Sequence, residues 1–372
     1  MKTLGLYVHI PFCKAKCGYC DFNSYAGKEE CIQPYFSALL SEIEAVAEKY
    51  PLPVDTIYFG GGTPTFVDTA YVCTALERIK ELFEQCSNCE ISIECNPGTI
   101  GYEGLKKLCE YGFNRLSIGL QSADNRCLKK LGRIHTFEDF SECFKNARKA
   151  GFENISLDLM YGLPGQTFAD WENTLKSAVE FGTEHISCYS LKVEEGTPFS
   201  TMDLDLPDDD AVADMYEMAV SLLNKWGYER YEISNFSKKG RESQHNLKYW
   251  LCNDFVGLGA GAFSCIGGVR FSNALDIGEY IECMKKESCA IESKEALSDF
   301  DKMSEFVFLG LRLKEGISEA EFAKRFNLNI DEVFGEQIEK YQGMGFLIRE
   351  KGFIRFSNKG FFVSNTILSD FV

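Results

Sequence analysis

Short apolar segments alternate with longer amphipathic ones through the first half of the chain. Positions 4–10, 55–60, 90–96, 115–121, 155–161 and 185–191 have strand length and strand composition. Between them, positions 35–50, 71–86, 102–111, 137–150 and 171–181 repeat apolar residues at helical spacing. Strand and helix alternating in this way predict an α/β fold with a parallel sheet, doubly wound or closed as a barrel. Strand parity adds a constraint. Ile91 and Ile93 oppose Ser92 and Glu94; Leu116, Ile118 and Leu120 oppose Ser117, Gly119 and Gln121; Ile155, Leu157 and Leu159 oppose Ser156 and Asp158. A parallel sheet covered on both faces is apolar on both. Three strands with one small, polar face therefore predict a barrel whose interior holds a ligand. The polar residues fall towards the C-terminal ends of the strands, where α/β folds place their sites.

The last part of the chain reads differently. A helix is expected at 211–225, after an acidic, solvated loop at 203–210. Further helices are expected at 299–313, 318–326 and 330–344, then strands at 346–349 and 353–356 about a Lys351-Gly352 turn. Three helices and a hairpin make a winged-helix shape. Residues 299–372 carry 10 Lys and Arg against 12 Asp and Glu, which removes the basic face that DNA binding needs. The expected division is a core with its extension at 1–290 and a small C-terminal domain at 291–372.

Composition narrows the function classes. The 372 residues suit one large domain plus a small one or two medium ones, and 45% hydrophobic with 26% charged residues is ordinary for a globular core. Lys and Arg total 39 against 56 Asp and Glu, a net charge of −17 that argues against nucleic acid or an anionic membrane as partner. No apolar run approaches the roughly 18 residues of a membrane span. The start Met1-Lys2-Thr3-Leu4 lacks the features of a signal peptide, so a cytoplasmic protein is expected. Sixteen cysteines suggest a disulfide scaffold, but scaffolds of that kind are small and secreted. Most, such as Cys109, Cys143, Cys188 and Cys283, sit singly in apolar stretches and read as small core residues. Cys86 and Cys89 form a C-x-x-C without a second pair beside it, a weak zinc signal.

One cluster stands apart. Directly after the first strand, Cys13, Cys17 and Cys20 follow C-x3-C-x2-C within His9-Ile10-Pro11-Phe12-Cys13-Lys14-Ala15-Lys16-Cys17-Gly18-Tyr19-Cys20-Asp21-Phe22. Three thiolates on one short loop can hold three irons of a cubane that usually takes four ligands. An open position on the fourth iron is what chemistry at a metal needs. A zinc loop is the competing reading. The spacing resembles that of the radical S-adenosylmethionine (SAM) superfamily, whose open iron chelates SAM. Gly60-Gly61-Gly62-Thr63-Pro64-Thr65 resembles the superfamily motif that grips the methionyl amino group.

The resemblance narrows further. Tyr7-Val8-His9-Ile10-Pro11-Phe12-Cys13, Ser92-Ile93-Glu94, the Gln121 and Arg133 pair, and the run Asp158-Leu159-Met160-Tyr161-Gly162-Leu163-Pro164-Gly165-Gln166-Thr167 are similar to the oxygen-independent coproporphyrinogen III oxidase group. That resemblance implies a partial (β/α)6 radical SAM barrel with a small C-terminal helical, winged-helix-like domain. It implies a [4Fe–4S] cluster on Cys13, Cys17 and Cys20, an electron donor, and SAM bound by Tyr7, Gly61 and Glu94. A second SAM position maps to Tyr19, Gly62, Thr63, Gln121, Arg133, Asp158 and Ser190. The alternative for Arg133 and Asp158 is a buried ion pair.

Two departures from the oxidase pattern point to the group's haem chaperone branch. Phe22 stands where the oxidases have a further cysteine, and the first strand begins within a few residues of Met1. His245-Asn246-Leu247-Lys248-Tyr249-Trp250 resembles that branch's H-N-x-x-Y-W motif, which implies haem near His245, Tyr249 and Trp250. Imidazole can ligate iron and aromatic rings can cover a macrocycle. The plainer reading is a core histidine beneath a Trp. The stretch Gly257-Leu258-Gly259-Ala260-Gly261-Ala262 lacks dinucleotide-fingerprint spacing and is read as close backbone packing beside the barrel. The expected function is therefore haem binding and transfer to an apoprotein, with a homodimer left open. The alternatives are oxidative decarboxylation of coproporphyrinogen III and a structural iron–sulfur protein without SAM chemistry.

Overall fold

Six strands lie side by side in the order in which the chain makes them: β1 (Leu4–Ile10), β2 (Val54–Gly61), β3 (Gln85–Cys95), β4 (Arg115–Gln121), β5 (Asn154–Tyr161) and β6 (His185–Ser190). Every neighbouring pair among them is parallel. This arrangement comes from a computed structural model that describes residues 2–287 and 289–372; Met1 and Ser288 lie outside the described residues. Between the strands run Ile32–Lys49, Thr69–Leu82, Tyr102–Tyr111, Phe137–Ala150 and Phe168–Glu180. Local chemistry sets their starts. Thr136 with Asp139, and Thr167 with Asp170, form capping boxes that occupy otherwise unpaired amides. The second capping box begins its helix at Phe168, three residues before the expected start. The helix expected at 71–86 stops at Leu82, so Cys86 and Cys89 lie in the first part of β3.

The apolar faces of β1–β6 pack against these helices in one continuous core that includes Leu6, Ile57, Ile93, Ile118, Leu157 and Ile186. The sheet does not stop at β1. Phe255–Leu258 adds to it in parallel, and Phe263–Ile266, Val269–Asn273 and Ile291–Ala296 continue it antiparallel. At the other margin, Asn235–Ser237 and Glu229–Arg230 extend β6. Among the described residues the sheet has 12 strands and two free ends, a curved open sheet rather than a closed barrel. Ile291–Ala296, which lies just past the expected boundary at 290, belongs to this sheet.

Beyond it, Asp299–Gly310, Glu319–Phe326 and Ile330–Gly343 surround a small sheet in which Phe353–Phe356 pairs with both Ile317–Ser318 and Leu347–Glu350. This is the winged-helix arrangement expected, with its own core around Phe306, Phe322, Phe334, Ile354 and Phe371. It touches the main unit through a bridge between Glu232 and Leu313 and through Arg325, whose guanidinium donates to the carbonyl of Leu251 at 2.9 Å. No helix among the described residues is long and apolar enough to cross a membrane.

Candidate functional site: a thiol-rimmed cavity inside the curved sheet

The small, polar face of the sheet lines a cavity of about 430 Å³. Tyr58, Glu94, Ser117, Gly119, Asp158 and Ser187 all face it from successive strands. The parity of the sequence therefore becomes the inner surface of the curved sheet. Cys13, Cys17 and Cys20 line the same cavity from the loop that follows β1.

That loop is fixed at several points. Phe12–Cys13 pairs with Tyr25–Ala26, and the amide of Gly18 donates to the carbonyl of Leu131 at 3.1 Å. The carbonyl of Gly18 accepts from the amide of Phe199 at 2.9 Å, with the Phe199 ring so near that a Cβ at Gly18 would stand 2.4 Å from it. Lys16 donates its ammonium to the carbonyls of Phe22 and Ser24 at 3.1 and 3.2 Å. Gly62 docks the end of β2 against the loop through an amide bond to the carbonyl of Ile10 at 2.9 Å. A side chain at Gly62 would lie 2.8–3.0 Å from the backbone of Ile10, Pro11 and Phe12, so only glycine permits this approach.

Burial raises the thiol pKa of both Cys13 and Cys20. Hydroxyls stand beside them: Thr63 Oγ1 is 3.4 Å from Cys13 Sγ, and Ser24 Oγ is 3.7 Å from Cys20 Sγ. Arg133 directs Nη1 at Cys17 Sγ (3.7 Å) and donates Nη2 to Asn96 Oδ1 and to the carbonyl of Gly119 (3.0 Å). Arg133 and Asp158 hold separate partners rather than each other. Asp158 instead accepts from Ser117 Oγ at 3.1 and 3.2 Å, and burial raises its pKa.

Glu94 sits opposite the thiol loop. Tyr58 donates to its Oε1 at 2.9 Å and the amide of Gly61 to its Oε2 at 3.1 Å. Burial, and then repulsion from Asp158, lift its carboxyl to about 7. Gln121 ends β4 in the left-handed region (φ 66°) at a register shift, which turns it into the cavity. Tyr19, Gly61, Gly62, Thr63, Glu94, Gln121, Arg133 and Asp158 thus all border one space.

Tyr7 and Ser190 do not themselves line this cavity. Tyr7 is half-buried one layer deeper, its hydroxyl 3.0 Å from His9 Nδ1 and its ring stacked on Tyr58. Ser190 pairs with Tyr161 at an outward position and is exposed. The register places Ser187 opposite Asp158 and Tyr189 opposite Met160, and these two, with Met160, face the cavity instead. Tyr58, Asn96 and Arg115 also line it without having been singled out in the sequence. Alternation through β6, carried across from Asp158, is the signal that identifies Ser187 and Tyr189.

The H-N-x-x-Y-W motif forms the helix Gln244–Trp250, which closes the opposite, N-terminal end of the curved sheet. Ser243 caps it, and Glu90 accepts from the amides of Gln244 and His245, each at 3.1 Å. Lys248 pairs with Asp55 at 2.7 Å. His245 is 1% exposed. Its Nδ1 bonds Thr56 Oγ1 at 2.9 Å and its Nε2 bonds Tyr249 Oη at 2.8 Å. Burial depresses its pKa to about 3, leaving a neutral core histidine. Both ring nitrogens are thus engaged by protein partners in this structure. Trp250 stacks against the Arg312 guanidinium at 5.7 Å rather than over a pocket with His245. Of this motif, Asn246 faces the cavity.

The residues present fit an iron–sulfur cluster and a zwitterionic ligand. Three thiols share one rim, and the buried Nε atoms of Arg115 and Arg133 have no partner among the described residues. The radical SAM superfamily pattern matches residues 7–178, and the HemN C-terminal domain pattern matches residues 297–363. The chain is 36% identical to the haem chaperone HemW of Bacillus subtilis over 98% of each chain. It is 34% identical to that of Escherichia coli over 100% of this chain and 99% of the other. Its fold superposes on the coproporphyrinogen III oxidase HemN of Escherichia coli with a TM-score of 0.89 at 25% identity, covering 100% of this chain and 90% of that one. The chain belongs to the HemW family of radical SAM proteins.

Proposed function

We propose that this chain is a haem chaperone. It holds a [4Fe–4S] cluster on Cys13, Cys17 and Cys20, binds SAM in the adjoining cavity, takes up haem and passes it to an apoprotein in the cytoplasm. The observation that carries this reading over the oxidase is Phe22. It stands at the cavity rim, 64% exposed, where the oxidase pattern has a cysteine. An apolar ring cannot replace a thiol in redox, proton or radical chemistry. A reduced cluster held by Cys13, Cys17 and Cys20 would be a one-electron donor beside the bound SAM.

The chain's own residues set the polarity of the space. Tyr58 and the Gly61 amide orient Glu94, a carboxylate partner for an ammonium or sulfonium group. Asn96 and the Gly119 carbonyl orient Arg133, a cation beside Cys17 that suits a carboxylate. Gln121 and Asp158 complete the wall, with Tyr19, Gly62 and Thr63 next to the thiol loop.

The whole-chain likeness in fold to HemN favours the oxidase as the second reading. Anaerobic reconstitution followed by parallel assays separates the two. The expected result is stoichiometric haem binding with no protoporphyrinogen IX formed from coproporphyrinogen III, even with SAM and a reductant. Cys17→Ala should abolish the cluster, whereas Cys86→Ala should leave it intact. Sustained decarboxylation by the purified chain would overturn the chaperone reading.

A further inference from the structure

The helix Gln244–Trp250 has a cavity on each side. Asn246 borders the thiol-rimmed one, and Tyr249 borders a second of about 300 Å³ where the extended sheet meets the C-terminal domain. We propose that this second cavity is the seat of the haem cargo, an inference that rests on the chaperone reading above. Its chemistry is that of a flat, mainly apolar dicarboxylate carrying iron.

Phe255, Leu297, Leu309 and Phe326 supply apolar walls, with Tyr249 edge-on to Phe255 at 4.6 Å between centroids. Arg270, Lys302 and Arg325 stand on the lining against Asp254 and Glu305, an excess of cations in a chain of net charge −17. Arg270 pairs with Glu305 and Arg325 with Glu321 at 2.8 Å, each a partner a propionate would displace, while Lys302 pairs with the exposed Asp299. These cations suit two propionates. Two thiols, Cys252 and Cys265, also face the space. A thiolate is an established type of axial haem ligand. Coordination to ferric haem forms one sulfur–iron bond and releases the thiol proton to water, with no change of oxidation state.

Cys252 is held in the left-handed region (φ 50°), where non-glycine residues are uncommon and gather at functional positions. The amide of Asn253 bonds the carbonyl of Lys248 at 2.8 Å, and Arg325 holds the carbonyl of Leu251 at 2.9 Å, which together maintain that turn. Open to one side, a space of this size takes a macrocycle by one edge and leaves the other exposed for transfer. The link to the first cavity is continuous: Tyr249 bonds His245, and His245 stacks on Tyr58 at 5.3 Å.

Haem and haem dimethyl ester, titrated into the reconstituted full-length protein, test the assignment. The double variant Arg270→Gln, Lys302→Gln should bind haem about tenfold more weakly or worse, from loss of charge-assisted hydrogen bonds, and bind the diester unchanged. Cys252→Ser with Cys265→Ser should shift the Soret band and remove the thiolate signature from the electron paramagnetic resonance spectrum. The cluster absorption and circular dichroism of both variants should match the parent. Parent-like haem affinity and spectra in both variants would overturn this seat and leave the chaperone reading standing. A parent protein that takes up no haem would overturn both.

Discussion

Glu94 is the residue whose surroundings make its ionisation costly. Its carboxyl titrates near 7 in the folded chain against an ordinary value of 4.5, because burial and then Asp158 oppose its charge. Between those values the folded state binds the proton more tightly than the unfolded one, so stability falls as pH rises from about 4.5 to about 7. Glu94→Gln keeps an oxygen to accept from the Gly61 amide, places its NH2 beside the Tyr58 hydroxyl, which can accept from it, and cannot ionise. In the iron-free protein, the stability of that variant relative to the parent should rise by on the order of 1–2 kcal/mol between pH 4.5 and pH 8, read from urea unfolding. A difference independent of pH would show that Glu94 is solvated like a surface carboxylate. Glu94, Gln121 and Asp158 were legible in the sequence because strand alternation carries the face of each residue. The face of Ser190 was not legible in the same way, because it rests on which residue of β5 it pairs with, and that register is a property of two strands. His245 was ambiguous because a ligand and a core histidine share one local sequence, and only the partners Thr56 and Tyr249 decide between them.

At the scale of elements, the helix Gln244–Trp250 is a plug tied to β2 through Asp55 and Thr56 and to β3 through Glu90. Replacing His245 by alanine leaves the Thr56 hydroxyl without its partner, and buried polar groups left unpaired cost roughly 1–3 kcal/mol each. His245→Ala should therefore be destabilised by about 1–3 kcal/mol at pH 7.5. The parent histidine titrates near 3 when folded and near 6.5 when unfolded, so the unfolded state binds more protons between those values. Parent stability then falls as pH drops below 6.5, by up to about 1.4 kcal/mol per unit. The gap between parent and variant should narrow by roughly 2 kcal/mol at pH 5 in chemical denaturation. A gap that widens on acidification would mean the imidazole is charged in the folded plug. The six parallel strands announced themselves because each is apolar on the helix-facing side and followed by a helical repeat. The antiparallel additions from Phe255 to Ala296 did not, since strands of four to six residues with mixed burial carry little periodic signal. The early start of β3 at Gln85 was hidden by an irregular register against β2, which breaks the alternation between Gln85 and Glu90.

For the whole molecule, the separation of the two cores carries a consequence for assembly. The fully buried members of the main core end at Ala290, whereas those of the second begin at Met303. Every residue that lines the thiol-rimmed cavity lies at or before Asn246. The contacts between the units are mostly polar and aromatic, among them Arg325 to the Leu251 carbonyl, the Glu232–Leu313 bridge, the Lys314 amide to the Tyr231 carbonyl, Arg270 with Glu305, Arg312 against Trp250, and Arg230 over the Phe361 ring at 3.8 Å. Two cores joined in this way should unfold as two cooperative units. A chain ended after Ala296 should fold, and its thiols should assemble a cluster with parent-like iron content and visible absorption. The second cavity, by contrast, takes Lys302, Glu305, Leu309, Arg325 and Phe326 from the C-terminal unit. The shortened chain should therefore keep its cluster and lose haem, and calorimetry should show one transition where the full chain shows two. Iron lost together with the C-terminal unit would instead make that unit part of the cluster's own support.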